Sequence, residues 1–135
     1  MLANRFNFRA FVKPYNKIYK VYSLENDGTF TIQCFKEDGE TLLKRNDNET
    51  NLFLFKQDEF VLMQSTGLTE KNGKKIFEGD IIKINKISKA IIEFKNSGFF
   101  IVEKGYNDQL LNNFVNYKVI EVIGNIYENK ELLKN

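Results

Sequence analysis

Few side chains in this 135-residue sequence could do chemistry, and their types narrow what that chemistry could be. There is no histidine and a single cysteine. A Ser–His or Cys–His nucleophile pair and an imidazole base are therefore ruled out. Zinc would be left with one thiol and carboxylates, a poor ligand set, so no metal site is expected. Neither GxxxxGK followed by Ser or Thr nor GxGxxG occurs, so no phosphate-cradling loop and no cofactor are expected. What remains is the carboxylate pair Glu78 and Asp80 on either side of Gly79. On an extended strand the two point to roughly the same side and could hold Mg²⁺ or act as acid and base. The same Glu-Gly-Asp at a strand entrance also makes a tight turn, with Asp80 bonding nearby backbone N–H groups. The turn is the stronger reading, and the chain is expected not to be an enzyme.

Binding chemistry has more material. Lys71, Lys74 and Lys75 surround the Asn72-Gly73 turn, and Lys83, Lys86 and Lys89 surround the next one. Tyr106, Phe99 and Phe100 offer rings on which bases could stack. Lysines at hairpin turns also serve as ordinary solubilising and edge-protecting decoration. The net charge of +2 is weak for a protein that neutralises phosphates, and 17 Lys against 3 Arg lacks the side chain that reads guanine bidentately. Nucleic acid is thus the less favoured partner. The strand Phe99 to Val102 is apolar on both faces, Phe100 and Val102 on one and Phe99 and Ile101 on the other. With Ile81, Val119 and Ile123 also read as outward, this apolar surface needs cover from the N-terminal region or from another chain. A homo-oligomer joined through Phe99 and Ile101 is expected.

The elements that carry these residues read as mainly β. The 13 Phe and 6 Tyr suit pleated surfaces. Turn signals recur at Asn26-Asp27-Gly28, Glu37-Asp38-Gly39, Asn72-Gly73 and Asn96-Ser97-Gly98. Phe8 to Phe11 is a strand stopped by Pro14, and Ile18 to Ser23 forms a hairpin with Thr29 to Phe35. In the latter, Cys34 shares the apolar face with Phe30 and Ile32 and reads as a buried structural thiol. The polar stretch Thr41 to Asn51 marks a boundary, giving an N-terminal β-hairpin lobe, residues 1–50, and a small antiparallel barrel, residues 51–135, with a shared core possible. Within the barrel, Ile82, Ile84, Ile92, Phe94, Ile120, Val122 and Ile126 are expected to form one core. Gly124 marks a bulge in a long strand from Tyr117 to Tyr127. One or two short helices are expected, from Asp108 to Val115 and after Asn129.

One cysteine cannot make an internal disulfide, so no oxidising compartment is needed. No apolar run reaches signal-peptide or transmembrane length, so the chain is expected in the cytosol, away from membranes.

Three ordered blocks resemble the YopX family of phage and prophage proteins. Phe8-Arg9-Ala10-Phe11 is similar to its opening Phe-Arg-Ala-Trp, with Phe11 at the usual Trp. Leu62-Met63-Gln64, Thr66-Gly67-Leu68, Asn72-Gly73-Lys74 and Glu78-Gly79-Asp80-Ile81 match its centre, with Ser65 where an aromatic is common. Gly124-Asn125-Ile126-Tyr127-Glu128-Asn129 and Leu132-Leu133 match its ending, with Lys130 at the usual Pro. The resemblance implies a phage gene in a Gram-positive host, hence the bacterial cytosol, and an SH3-like C-terminal barrel. It implies no active site. The expected function is non-enzymatic binding of a host component, either a host protein or a second copy. Two alternatives remain. One is capture of a small nucleotide immune signal by Tyr106, Tyr127 and lysines such as Lys74 and Lys75; the other is nucleic-acid binding.

Overall fold

Alternating aromatic and β-branched residues build two compact units, Met1–Gln64 and Ser65–Asn135. The computed structural model describes residues 8–26, 28–113 and 119–134. The units divide within a strand, at Gln64, so the boundary read at residue 50 falls inside the first unit. The polar stretch that suggested a linker is instead held by Arg45. This side chain is buried and forks onto Asp47 at 2.9 and 2.6 Å, Glu59 at 2.8 and 2.7 Å, and the Leu54 carbonyl at 3.0 Å. Composition alone cannot tell a solvated loop from one folded around a bidentate guanidinium.

In the first unit β1 (Phe8–Val12), β2 (Lys17–Asn26), β3 (Phe30–Cys34), β4 (Phe55–Lys56) and β5 (Phe60–Thr69) pair antiparallel in the order β4-β3-β2-β1-β5. Pro14 sits in a 3-10 turn between β1 and β2, where no ladder hydrogen bond is required. The β2–β3 hairpin forms as its turn signal predicts, with Asn26 opposite Phe30. Every second residue faces the core: Ala10 and Val12, Tyr19 and Val21, Ile32 and Cys34. Burial pushes the Cys34 thiol up to about 12, which leaves it inert near neutral pH.

Strand β5 continues into the second unit, where it pairs with β6 (Lys75–Phe77). Then β7 (Asp80–Ile84), β8 (Ser88–Lys95), β9 (Gly98–Val102) and β10 (Gln109–Leu110) meander, and β11 (Ile120–Asn125) returns beside β7. The order β10-β9-β8-β7-β11 sets the last strand against the first of the five. Ile76, Ile82, Ile84, Ala90, Ile92, Ile101, Leu111 and Ile120 form the core. Among the described residues the only helical pieces are 3-10 turns. The span expected as a helix from Asp108 holds β10 and the turn Leu111–Asn113, and its end lies outside the described residues. Leu111 is fully buried there, so the apolar pattern marks a core turn.

Several expected core positions move. Phe94 keeps the parity of Ala90 and Ile92 but lies past the end of the core, 49% exposed and tilted against Phe99 at 5.0 Å. Val122 only flanks the core, and Ile126 is half-buried outside it. The two faces of β9 are also reversed from expectation. Ile92 pairs with Ile101 and Phe94 with Phe99, so Ile101 is core and Phe99 packs on it, while Phe100 and Val102 face outward. Ile81, read as outward and in need of cover, is fully buried.

Candidate functional site

Two turns set the geometry of the exposed end of the second unit. Asn85 and Lys86 both adopt left-handed φ, 52° and 64°, and close the β7–β8 hairpin. Ile87 leaves this turn 84% exposed, although a β-branched side chain has no local reason to sit there. The loop after β9 carries Tyr106, 70% exposed, alongside it. Ile87 and Tyr106 line one groove of about 460 Å³, floored by Ile84 and Ile101. A second groove of about 660 Å³ lies on the other side of Ile87, between the β8–β9 surface and the 3-10 turn Lys130–Leu133. Glu103 lines both grooves. Lys89 Nζ donates to the Leu132 carbonyl at 2.8 Å and ties that turn in place.

The carboxylate pair is differently placed. Asp80 is buried, and its Oδ2 accepts the Phe77 N–H at 2.8 Å, closing the corner. Gly79 supplies the φ of 86° this corner needs, its N–H reaches the Ile92 carbonyl at 2.7 Å, and its carbonyl accepts the Ile126 N–H at 2.9 Å. Glu78 is half-buried beside it and lines neither groove. The corner works as a junction between strands.

Glu70 is a third acid that the sequence reading missed. It is 4% exposed and accepts N–H groups of Asn72 at 2.7 Å, Lys74 at 3.1 Å and Val122 at 3.2 Å. Burial alone would push its carboxyl up, but these backbone donors outweigh that and hold it below the ordinary value. The β11 bulge between Val122 and Gly124 sits where Glu70 reaches the strand. A glutamate two residues ahead of Asn-Gly was the available signal.

The family-like ending is also a closed turn. Asn125 Oδ1 accepts from Tyr127 and Glu128 backbone N–H groups at 3.0 and 2.8 Å, and Asn129 Oδ1 accepts the Asn125 N–H at 3.1 Å. Asn129 therefore bonds backward rather than capping the turn that follows. A Cβ on Gly124 would lie 2.7 to 2.9 Å from Asn129, which accounts for glycine.

The residues expected to bind separate. Lys74 and Lys75 are exposed near the Asn72-Gly73 turn and Tyr127 is half-buried, and none of them lines a groove with Tyr106. Lys71, Lys83 and Lys86 share a small hollow, where Lys71 pairs with Glu121 at 3.6 Å. Phe100 carries Lys95 over its ring at 6.0 Å, and Lys95 also pairs with Asp108. Rings and lysines thus do not interleave on one face. Ile87, Glu103, Lys104, Leu133 and Lys134 were missed as groove residues, because exposure at a turn tip is a tertiary property.

No helix among the described residues is long and apolar enough to cross a membrane. No curated protein matches the chain. Among solved structures, protein EF1440 from Enterococcus faecalis is similar with a TM-score of 0.63 and 27% identity, over 95% of this chain and 97% of that one. Protein yopX from Bacillus subtilis shares the fold, with a TM-score of 0.58 and 23% identity over 95% and 98%. The family model described as YopX protein matches residues 7–134, and the chain belongs to that family.

Proposed function

We propose that this chain is a non-enzymatic binding protein of phage or prophage origin. Its second unit engages a host protein at the end of the sheet where Ile87 and Tyr106 stand. The observation that carries this reading is the pair of large side chains left 84% and 70% exposed around a groove with a buried aliphatic floor. An aliphatic or aromatic side chain from a partner would bury both, and such central anchors carry most of the energy of an interface. The chemistry available elsewhere supports binding over turnover: Cys34 is buried with a raised pKa, Asp80 is committed to a backbone N–H, and the chain has no histidine.

The test is capture from a lysate of a Gram-positive host with immobilised wild type, Ile87→Asp and Tyr106→Ser, read by mass spectrometry. A protein retained by the wild type and lost from both variants supports the reading. Identical retention by all three overturns it, as does turnover of a substrate by the purified chain. Self-association is measured in parallel by light scattering. A substitution at Phe99 would disturb folding as well as association, since Phe99 packs on the core.

A further inference from the structure

We infer that the second groove takes an acidic peptide segment of the partner, carrying an aliphatic side chain. This inference rests on the binding reading above and names the partner's chemistry. The walls are aliphatic: Ile87, Ile91, Val102 and Leu133, the last 41% exposed. Among the described residues, the charged side chains around them are Lys89, Lys104 and Lys134, against the single carboxylate of Glu103. Among the described residues Lys104 and Lys134 have no carboxylate in ion-pair range, so their charge is available to a ligand. Lys89 is turned onto the Leu132 carbonyl, 2.8 Å away, and serves to hold the wall.

This combination discriminates among occupants. A second copy docking the same groove by two-fold symmetry would set lysines against lysines, which complementarity forbids. A nucleotide or single strand would gain the phosphate attraction but no stacking, because no aromatic ring among the described residues lines this groove. A peptide with Asp or Glu on either side of a Leu or Ile satisfies both features. Its carboxylates meet Lys104 and Lys134 at the rim, and its aliphatic side chain enters between Val102 and Leu133. The Ile87 ridge shared with the first groove makes one continuous surface for a partner.

The experiment is fluorescence anisotropy of the full chain with three labelled dodecapeptides: one of Asp, Glu and two Leu, one with every acid amidated to Asn or Gln, and one with each Leu replaced by Ser. An oligothymidylate of similar charge is the fourth probe. We expect the acidic leucine peptide to bind at least tenfold more tightly than the other three. The double variant Lys104→Gln/Lys134→Gln should weaken it at least tenfold, with an unchanged thermal midpoint showing that the fold is kept. Lys20→Gln, an exposed lysine of the first unit, should leave it within twofold. Equal binding of all peptides, tightest binding of the oligothymidylate, or no binding by any probe overturns the inference. Loss of the lysate partner with Tyr106→Ser but not with the lysine pair would overturn it too, while leaving the binding reading standing.

Discussion

Two regions of the second unit use the same residue types to opposite ends. Around the Glu78-Gly79-Asp80 corner and the Gly124–Asn129 turn, polar side chains are spent on backbone: Asp80 on Phe77, Glu70 on three amides, Asn125 on two. At the β7–β8 tip and in the loop after β9, large side chains stand largely exposed among the described residues, Ile87 and Tyr106 foremost. The first region holds two of the blocks that resemble the family, whereas Ile87 and Tyr106 belong to none of them. At the corner and the ending turn the family-like residues serve the fold, and a fold signature does not by itself fix function.

Ile92 lies under both regions and offers the largest break. Its carbonyl receives the Gly79 N–H at 2.7 Å, while its side chain packs in the core with Ile101 beneath the first groove. Ile92→Ala should cost about 2–5 kcal/mol, measured by urea unfolding, because a fully buried isoleucine leaves a cavity. A loss well under 1 kcal/mol would mean the two regions are not joined through this residue. Next comes Gly124→Ala. Its Cβ would press on Asn129, which is held by the Asn125 N–H, so about 1–3 kcal/mol of overpacking strain is expected. Wild-type stability in that variant would show that the ending turn yields easily, and the contrast with the open tip would weaken.

Glu70 sharpens the comparison through pH. Its folded carboxyl is held below the ordinary value near 4.3, so the unfolded chain binds more protons in the interval between the two. Its contribution is therefore complete above the ordinary value and fades as pH falls through the folded one. Asp47 and Glu59 follow the same sign, lowered first by hydrogen bonds from Arg45. Glu70→Gln should cost about 1–2 kcal/mol at pH 7, since the three amides lose a charged acceptor. It should also lose part of the wild type's decline between pH 5 and 3, read as urea midpoints. A parallel decline in both proteins would place the acid sensitivity with the other lowered carboxylates, Asp38, Asp47 and Glu59 among them.

How much of this was legible follows from the range of each signal. The β2–β3 hairpin, buried Cys34 and the bulge at Gly124 were readable because turn residues and alternation act within a few positions. The two faces of β9 were not, because every residue from Phe99 to Val102 is apolar and alternation then carries no sign. Only pairing of Ile101 with Ile92 assigns it. Glu70 gives no local signal of its role at β11, since its amide from Val122 comes from 52 residues away. Gly98 was read as a turn residue, yet the left-handed positions are Asn96 and Ser97. A Cβ on Gly98 would meet Leu110 at 3.2 Å, so the glycine makes room for β10. The grooves were least legible of all, being properties of which turns end side by side.

The smallest expected effect on stability falls at the open tip, and it is the most telling for function. Ile87 makes little use of burial where it stands, so Ile87→Ser should change the unfolding free energy by no more than about 0.5 kcal/mol. A residue that served only the fold would cost more on truncation, as Ile92 does. Should Ile87→Ser keep its thermal midpoint and still lose the lysate partner, the tip is a recognition surface and the closed corner is scaffold. Should it unfold the chain by several kcal/mol, Ile87 packs in solution on something within the molecule, and the opposition between an open end and a closed one disappears. The two outcomes separate in one pair of measurements, a melting curve and a capture assay on the same preparation.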